Sequence, residues 1–343
     1  MSEKNFIDKL RQENVPLIIA EIGANYGGIE LVKNMVRSAA QTGADMVKFQ
    51  TYRAETIATP GSFFTFEDGS QVSQFEFFKK YELSPEHHEE LDALCKELGV
   101  KWTSTPSHES DLDLLERYDL PFYKTGSDDL TNIPFLKTIA RKMRPMLVST
   151  GMCSLEEIKM AVDAIHSTGN TQLALLHCVV SYPSKPEDAN LRVIDTLRRT
   201  FDLPVGLSDH TQDEFTSILA TQMGAAVIEK HFTLDHALKL PDHQASLDPV
   251  EFKKLVERVR LVPKAMGDGI KSILLTEEKW RAAARKSIFI AADISAGTRI
   301  TEAHLAIRRP GSGIAPKYFD EIIGRTAARD LTREAMLQWE DVT

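Results

Sequence analysis

Val205-Gly-Leu-Ser-Asp-His-Thr211 and, one helix-length later, Val227-Ile-Glu-Lys-His-Phe232 are short apolar runs that each end in histidine. Runs of this length with polar ends read as buried strands, and the polar-to-apolar stretch 214–223 between them reads as a helix. If the two strands are parallel neighbours, His210 and His231 project from one rim and can share a metal ion. Neutral imidazoles on rigid strand ends, with carboxylates nearby, suit a borderline divalent cation. The plainer alternative is a pair of loop histidines that only hydrogen-bond.

The same beat recurs earlier in the chain, at 16–23, 44–51, 101–106, 122–127, 145–151 and 173–182. Amphipathic stretches at 29–43, 85–98, 109–117, 133–142, 154–166 and 192–200 separate these runs, and 249–266 follows the last of the eight. Ser154 with Glu157 three residues on is a capping box, and Asn25-Tyr26-Gly27-Gly28 is a turn after the first strand. Eight alternating strands and helices predict a closed (β/α)₈ TIM barrel, an α/β fold. A doubly wound sheet would carry Gly-x-Gly-x-x-Gly after its first strand, and Gly23, Gly27 and Gly28 do not fit that spacing.

Residues 53–83 make an overlong connection containing Phe63, Phe64, Phe66, Phe75, Phe77 and Phe78, read as a lid or dimer contact in preference to a local aromatic cluster. The barrel is assigned to 1–270 and a charged, helix-prone linker to 271–286. From 287 to 343 short β-type runs with Gly and Pro punctuation describe a small β-rich module that needs docking on another domain.

Composition narrows the function classes. A net charge of −9 argues against general nucleic-acid or anionic-membrane binding, and no uninterrupted apolar run is long enough for a membrane span. Three separated cysteines, Cys95, Cys153 and Cys178, form no framework, and Met-Ser-Glu-Lys-Asn-Phe lacks the apolar core of a signal peptide; a reducing cytoplasm is expected.

In a TIM barrel the active site lies at the C-terminal strand ends. The polar residues there are Glu21, Lys48, Gln50, Thr103, Thr105, Lys124, Ser127, Ser149, Thr150, His177, Tyr182, Ser208, Asp209, His210, Glu229, Lys230 and His231. Lysines and hydroxyls beside a metal make a receptacle for a phosphorylated or carboxylated anion, and Glu21 is a candidate general base. Lys124 leaves a second route open, a Schiff base with a carbonyl substrate.

Ala20-Glu-Ile-Gly-Ala-Asn25, Val47-Lys-Phe-Gln50, Thr103-Ser-Thr-Pro106, Tyr123-Lys-Thr-Gly-Ser127, Ser149-Thr-Gly-Met152, His177-Cys178, Gly206-Leu-Ser-Asp-His-Thr211 and Glu229-Lys-His-Phe-Thr-Leu-Asp235 together resemble the N-acetylneuraminate (sialic acid) synthase family. The tail 287–343 is similar to the antifreeze-like (SAF) module of those synthases. The resemblance implies a transferase that condenses phosphoenolpyruvate with an N-acetylated amino-sugar aldehyde such as N-acetylmannosamine, giving a nonulosonic acid and phosphate. It implies Mn²⁺ or a similar divalent ion (Mg²⁺, Co²⁺) on His210 and His231, with Glu21 handling the proton of the attacking water. Lys48, Thr105, Lys124, Ser127 and Ser208 would hold phosphoenolpyruvate; Gln50, Asp129, Tyr182 and Asp242 would face the sugar. It further implies a domain-swapped homodimer in which the module of one chain covers the other's barrel mouth, Arg309 reaching the sugar's acyl group, and it sets the Schiff-base route aside.

The chain departs from the family where the sugar is recognised. Val179-Val180 stands after His177-Cys178 in place of Thr-Asn. Asp128-Asp129 replaces a small residue followed by Glu, and His236-Ala-Leu-Lys-Leu-Pro241 differs before Asp242. These changes make a legionaminic or pseudaminic acid type of product the alternative.

Overall fold

The computed structural model describes residues 6–23, 27–65, 69–238 and 242–343. The predicted turn at Asn25-Tyr26, Phe66 and the Lys239–Pro241 part of the sugar-facing departure lie outside the described residues. The chain divides into two compact units, Met1–Gly267 and Asp268–Thr343.

In the first unit the barrel strands are β1 (Leu17–Glu21), β2 (Met46–Thr51), β3 (Lys101–Pro106), β4 (Tyr123–Thr125), β5 (Met146–Ser149), β6 (Leu173–Cys178), β7 (Val205–Asp209) and β8 (Val227–His231). They form one eight-stranded parallel sheet in the order β3-β2-β1-β8-β7-β6-β5-β4. At the β3/β4 seam, where no backbone ladder is formed, the Thr103 hydroxyl donates to the Phe122 carbonyl at 2.8 Å and draws the barrel nearly closed. The barrel helices are α1 (Ile29–Thr42), α2 (Pro85–Leu98), α3 (Glu109–Leu115), α4 (Ile133–Ala140), α5 (Leu155–His166), α6 (Val193–Phe201), α7 (Phe215–Gln222) and α8 (Pro249–Met266). Local chemistry sets their starts: α5 has the predicted Ser154/Glu157 capping box, and Ser84 caps α2 with Pro85 in its first turn.

Side chains alternate faces along each strand, so the barrel interior is filled in layers. The lower layer is apolar: Ile19, Met46, Phe122, Leu147, Ala174, Leu176 and Val227 form one buried cluster. An N-terminal helix, Phe6–Gln12, closes it from below through Ile7 and Leu10, with Phe6 4.9 Å from the Phe122 ring. Outward-facing strand residues such as Ile18, Val47, Leu175 and Ile228 join the helices in the second, larger core.

Gly206 shows how full the lower layer is. A Cβ there would lie 2.6 Å from the Val227 carbonyl oxygen and 2.7 Å from Leu176 Cδ2. Gly206→Ala is therefore expected to destabilise the barrel by about 1–3 kcal/mol, read as a lowered midpoint in urea unfolding.

The long connection 53–83 is more ordered than its length suggests. It contains a short helix Ala54–Ile57, an antiparallel hairpin of Phe63–Thr65 with Gln71–Ser73, and a helix Gln74–Tyr81 capped by Ser73. Phe64, Phe77, Phe78 and Tyr81 meet edge to face at 5.0–6.0 Å. Tyr52 joins them, 5.2 Å from Phe78.

In the second unit β9 (Ser287–Ile290) pairs antiparallel with β10 (Leu305–Arg308), and further single bridges connect residues 289–342 around a core that includes Ile288, Ile300, Ile314, Ile322 and Leu337. The stretch expected as a linker contains a solvated helix, Leu275–Ala284. Among the described residues no helix is long and apolar enough to cross a membrane.

Candidate active site

Above the apolar layer the same alternation delivers polar side chains into one cavity of about 240 Å³ at the C-terminal end of the barrel. Glu21 (β1), Lys48 and Gln50 (β2), Thr105 (β3), Lys124 and Ser127 (β4 and the turn after it), Ser208 and His210 (β7), and Glu229 and His231 (β8) all line it, with Tyr182. Ten of the predicted site residues thus share this cavity with Glu229, whose role the strand-end reading left unassigned.

Charge in the cavity is balanced by pairs. Lys48 Nζ lies 2.7 Å from Glu21 Oε2 and 3.9 Å from Glu229 Oε2, and donates to Thr105 Oγ1 at 3.2 Å. Gln50 Nε2 donates to the other Glu21 oxygen at 3.0 Å. Lys124 Nζ donates to Ser149 Oγ at 2.6 Å and to the Thr125 carbonyl at 3.0 Å, and lies 3.6 Å from Glu229 Oε1. Ser208 Oγ donates to that same Glu229 oxygen at 2.9 Å. Burial opposes ionisation of Glu229, but Lys124, Lys48 and the Ser208 hydroxyl outweigh it and hold the carboxylate below its usual range. Burial likewise pulls on Lys48, yet Glu21 and Glu229 keep its ammonium above its ordinary value; at Lys124 burial wins and the value falls. Four buried ionisable groups in one layer cost stability, which points to a site kept for chemistry.

The histidines are arranged as donors. Their ring centroids are 5.3 Å apart, and the Tyr182 ring lies tilted against His210 at 4.1 Å. His210 Nδ1 donates to the Val179 carbonyl at 2.7 Å, which leaves the Nε2 lone pair free. Burial and the neighbouring His231 push the His210 value down to about 4, so the ring is neutral, the form that ligates a cation. His231 Nδ1 is buried without a hydrogen-bond partner, 3.6 Å from Asp242 Oδ2. Gly23 makes this approach possible: its φ of +57° is left-handed, and a Cβ there would sit 2.7 Å from the Asp242 carboxylate and 3.0 Å from the His231 ring. A neutral imidazole with a free nitrogen, beside a second whose buried Nδ1 makes no hydrogen bond, is a donor pair whose chemistry fits a borderline divalent ion. His236, Asp248 and Glu251 also cluster, but they are occupied with one another and with backbone as the capping box of α8.

Other predicted positions fall elsewhere. Asp129 does not line the cavity: it is buried against the start of α4, where Asn132 Nδ2 donates to it at 3.0 Å, and its neighbour Asp128 lines the cavity in its place. The chain has left β4 by this point, so strand alternation no longer decides which of the two faces inward. Asp242 lies beside His231, and Arg309 is exposed on the second unit, following β10. Of the other strand-end residues, Thr150 and His177 turn away, donating to or bonding the Leu176 and Ala189 carbonyls at 3.0 and 2.7 Å. Asp209 and Lys230 also point outward and pair with each other at 3.2 Å.

Burial raises Asp129 to about 6, above the value it has in the unfolded chain, so the native state takes up its proton first. Its contribution favours folding at low pH and is lost as pH rises from about 4 through 6. Asp129→Asn, which keeps the acceptor for Asn132, is expected to raise stability by about 1–2 kcal/mol above pH 6 and to remove that part of the pH slope in denaturation curves.

Comparison with known proteins shows the family. Residues 35–271 match the NeuB family model and residues 285–343 the SAF domain model. The N,N'-diacetyllegionaminic acid synthase of Legionella pneumophila is 39% identical over 334 residues, covering 95% of this chain and 94% of that protein. The mouse N-acetylneuraminate-9-phosphate synthase is 36% identical, covering 85% of this chain and 82% of its own. Among solved structures, the N-acetylneuraminic acid synthetase of Leptospira borgpetersenii superposes with a TM-score of 0.70 at 31% identity, covering 78% of this chain and 90% of that one. The spore coat polysaccharide biosynthesis protein of Bacillus subtilis does so at 0.66 and 32%, covering 96% of both chains. With the family model spanning well over half of the chain, this protein belongs to the NeuB family and carries a C-terminal SAF domain.

Proposed function

We propose that the protein condenses phosphoenolpyruvate with the aldehyde of an acetamido sugar, forming a nine-carbon 2-keto acid and releasing phosphate. The observation that carries this reading is the single polar layer in which Lys48, Lys124, Thr105, Ser127 and Ser208 stand beside the histidine pair. Two ammonium groups and three hydroxyls suit a phosphate and a carboxylate on one three-carbon acid.

In the proposed reaction C3 of phosphoenolpyruvate bonds to the aldehyde carbon while water adds to C2. The tetrahedral carbon then expels phosphate by C–O cleavage. One proton of the water ends on the sugar's new hydroxyl and the other leaves with the phosphate. Glu21, held by Lys48 and Gln50, would take the proton from the attacking water. Glu229, between the two lysines, keeps a carboxylate oxygen without a hydrogen-bond partner and is a second proton carrier. His210 and His231 would hold a divalent ion, preferably Mn²⁺, which when bound supplies Lewis-acid polarisation of the sugar aldehyde.

For the sugar, an N,N'-diacetylated substrate is favoured over N-acetylmannosamine. Synthases of N,N'-diacetyllegionaminic acid from Legionella pneumophila and Campylobacter jejuni are 39% and 37% identical to this chain. Val180 and Met152 give the cavity an apolar edge that suits a second acetyl methyl. Phosphate release measured with N-acetylmannosamine, its 6-phosphate and the diacetamido hexoses decides the matter. Fastest turnover on a diacetamido sugar is expected; preference for N-acetylmannosamine would overturn the sugar assignment, and no release with any of them would overturn the condensation. Borohydride trapping of pyruvate on Lys124 would instead point to Schiff-base chemistry.

The proposed assembly is a homodimer in which the SAF domain of one chain covers the partner's barrel. Arg309→Ala is expected to raise the sugar KM by about tenfold and leave the phosphoenolpyruvate KM nearly unchanged, in steady-state assays. Equal weakening of both would argue against a sugar contact.

A further inference from the structure

The outward-facing residues next to the two histidines form a latch. Asp209 and Lys230 are directly opposite each other in the β7/β8 register, and each immediately precedes one of the imidazoles in sequence. Both are buried, and Lys230 Nζ lies 3.2 Å from Asp209 Oδ2. The ammonium also donates to the Thr211 and Asp213 carbonyls, so the turn that carries His210 is wrapped around it. Asp209 in turn accepts from the Thr211 amide at 2.9 Å and from the Thr211, Thr216 and Ser217 hydroxyls at 2.8, 2.7 and 2.6 Å. Strand β7, the 210–213 turn, the start of α7 and strand β8 are thereby tied at one point, on the side of the sheet away from the cavity.

We infer that Asp209 and Lys230 are positioning residues that hold His210 and His231 at the spacing a shared cation needs; this rests on the metal reading of the histidine pair. A buried ion pair is a weak source of stability, since well-packed apolar residues of the same size often serve as well. What an apolar pair cannot do is grip the 211 and 213 carbonyls. That makes the path of the turn, and with it the seat of His210, the property this pair supplies.

The test is the double variant Asp209→Asn/Lys230→Met, which removes both buried charges at nearly constant volume. Mn²⁺ affinity is measured by calorimetry and the protection of residues 211–213 by amide hydrogen exchange, both on the full-length protein. The expected result is a native melting profile, a Kd for Mn²⁺ raised ten- to hundredfold, the range typical when groups supporting a metal ligand are removed, and faster exchange at 211–213. Unchanged affinity, or weakened affinity with the turn as protected as before, overturns the proposal. If the double variant does not fold, Lys230→Met alone, which frees the 211 and 213 carbonyls while Asp209 keeps the Thr211, Thr216 and Ser217 donors, is compared by the same two readouts with the same expected and overturning results. A wild-type protein that binds no Mn²⁺ removes the metal reading, and with it the purpose assigned to the latch; wild-type binding with an indifferent variant removes the latch alone.

Discussion

His231→Ala is expected to abolish turnover, with phosphate release from phosphoenolpyruvate falling by at least about 10³-fold. Lewis-acid polarisation of a carbonyl is worth several kcal/mol, and about 4 kcal/mol corresponds to that factor. Stability should be little changed, because His231 Nδ1 is already buried without a hydrogen-bond partner and its removal orphans no donor or acceptor bonded to it. The two outcomes to separate are therefore distinct. A ligand role leaves the melting temperature native and eliminates stoichiometric Mn²⁺ binding, whereas a packing role lowers the melting temperature and spares binding. Full activity after thorough metal removal from the wild-type protein would sink the metal role altogether.

Glu229→Gln is the second large effect, a fall in kcat of about 10²- to 10³-fold with a phosphoenolpyruvate KM that does not rise. Glutamine keeps the shape and can still accept from Ser208, so the cavity wall is preserved. What is lost is one negative charge between Lys48 and Lys124, which leaves the pocket more attractive to a polyanionic substrate. Loss of a proton carrier lowers kcat by factors of this size without touching ground-state binding. Steady-state kinetics in both substrates decides it: a raised phosphoenolpyruvate KM with kcat intact would reduce Glu229 to a counter-ion that arranges the lysines.

Much of this site is readable from one-dimensional periodicity. Eight apolar runs with polar ends, each followed by an amphipathic helix, dictate the barrel, because parallel strands buried on both faces and crossover helices have few other ways to pack. The histidines at 210 and 231, and Glu21, Lys48, Lys124 and Ser208, are found at strand ends for the same reason. Glu229 was equally accessible: it is two residues before His231, on the same face of β8, and the period-2 rule that places one places the other. That rule also sends Asp209 and Lys230 to the opposite face, so a count of polar residues at strand ends mixes two populations with different work to do.

Where strands stop, so does the rule. Asp128 and Asp129 follow β4, and which of them turns into the cavity depends on how the loop packs against Asn132 and α4. The 53–83 segment presents the same limit. Its phenylalanines are obvious in sequence, yet their assembly around Phe77 and Phe78, with Phe78 and Tyr52 turned toward the cavity, arises from a hairpin and a helix with no barrel periodicity. The sequence by itself determined the fold, through local period and residue type, and the family, through the resemblance of its motifs; it also placed the polar residues at the strand ends. Only the tertiary structure decided the pairing of Glu21 with Lys48, the place of Glu229 between two lysines, the free nitrogen of His210 and the Asp209–Lys230 latch. Each of those is a contact between strands or loops far apart in the chain, and its distance is set by packing that no single stretch of sequence contains.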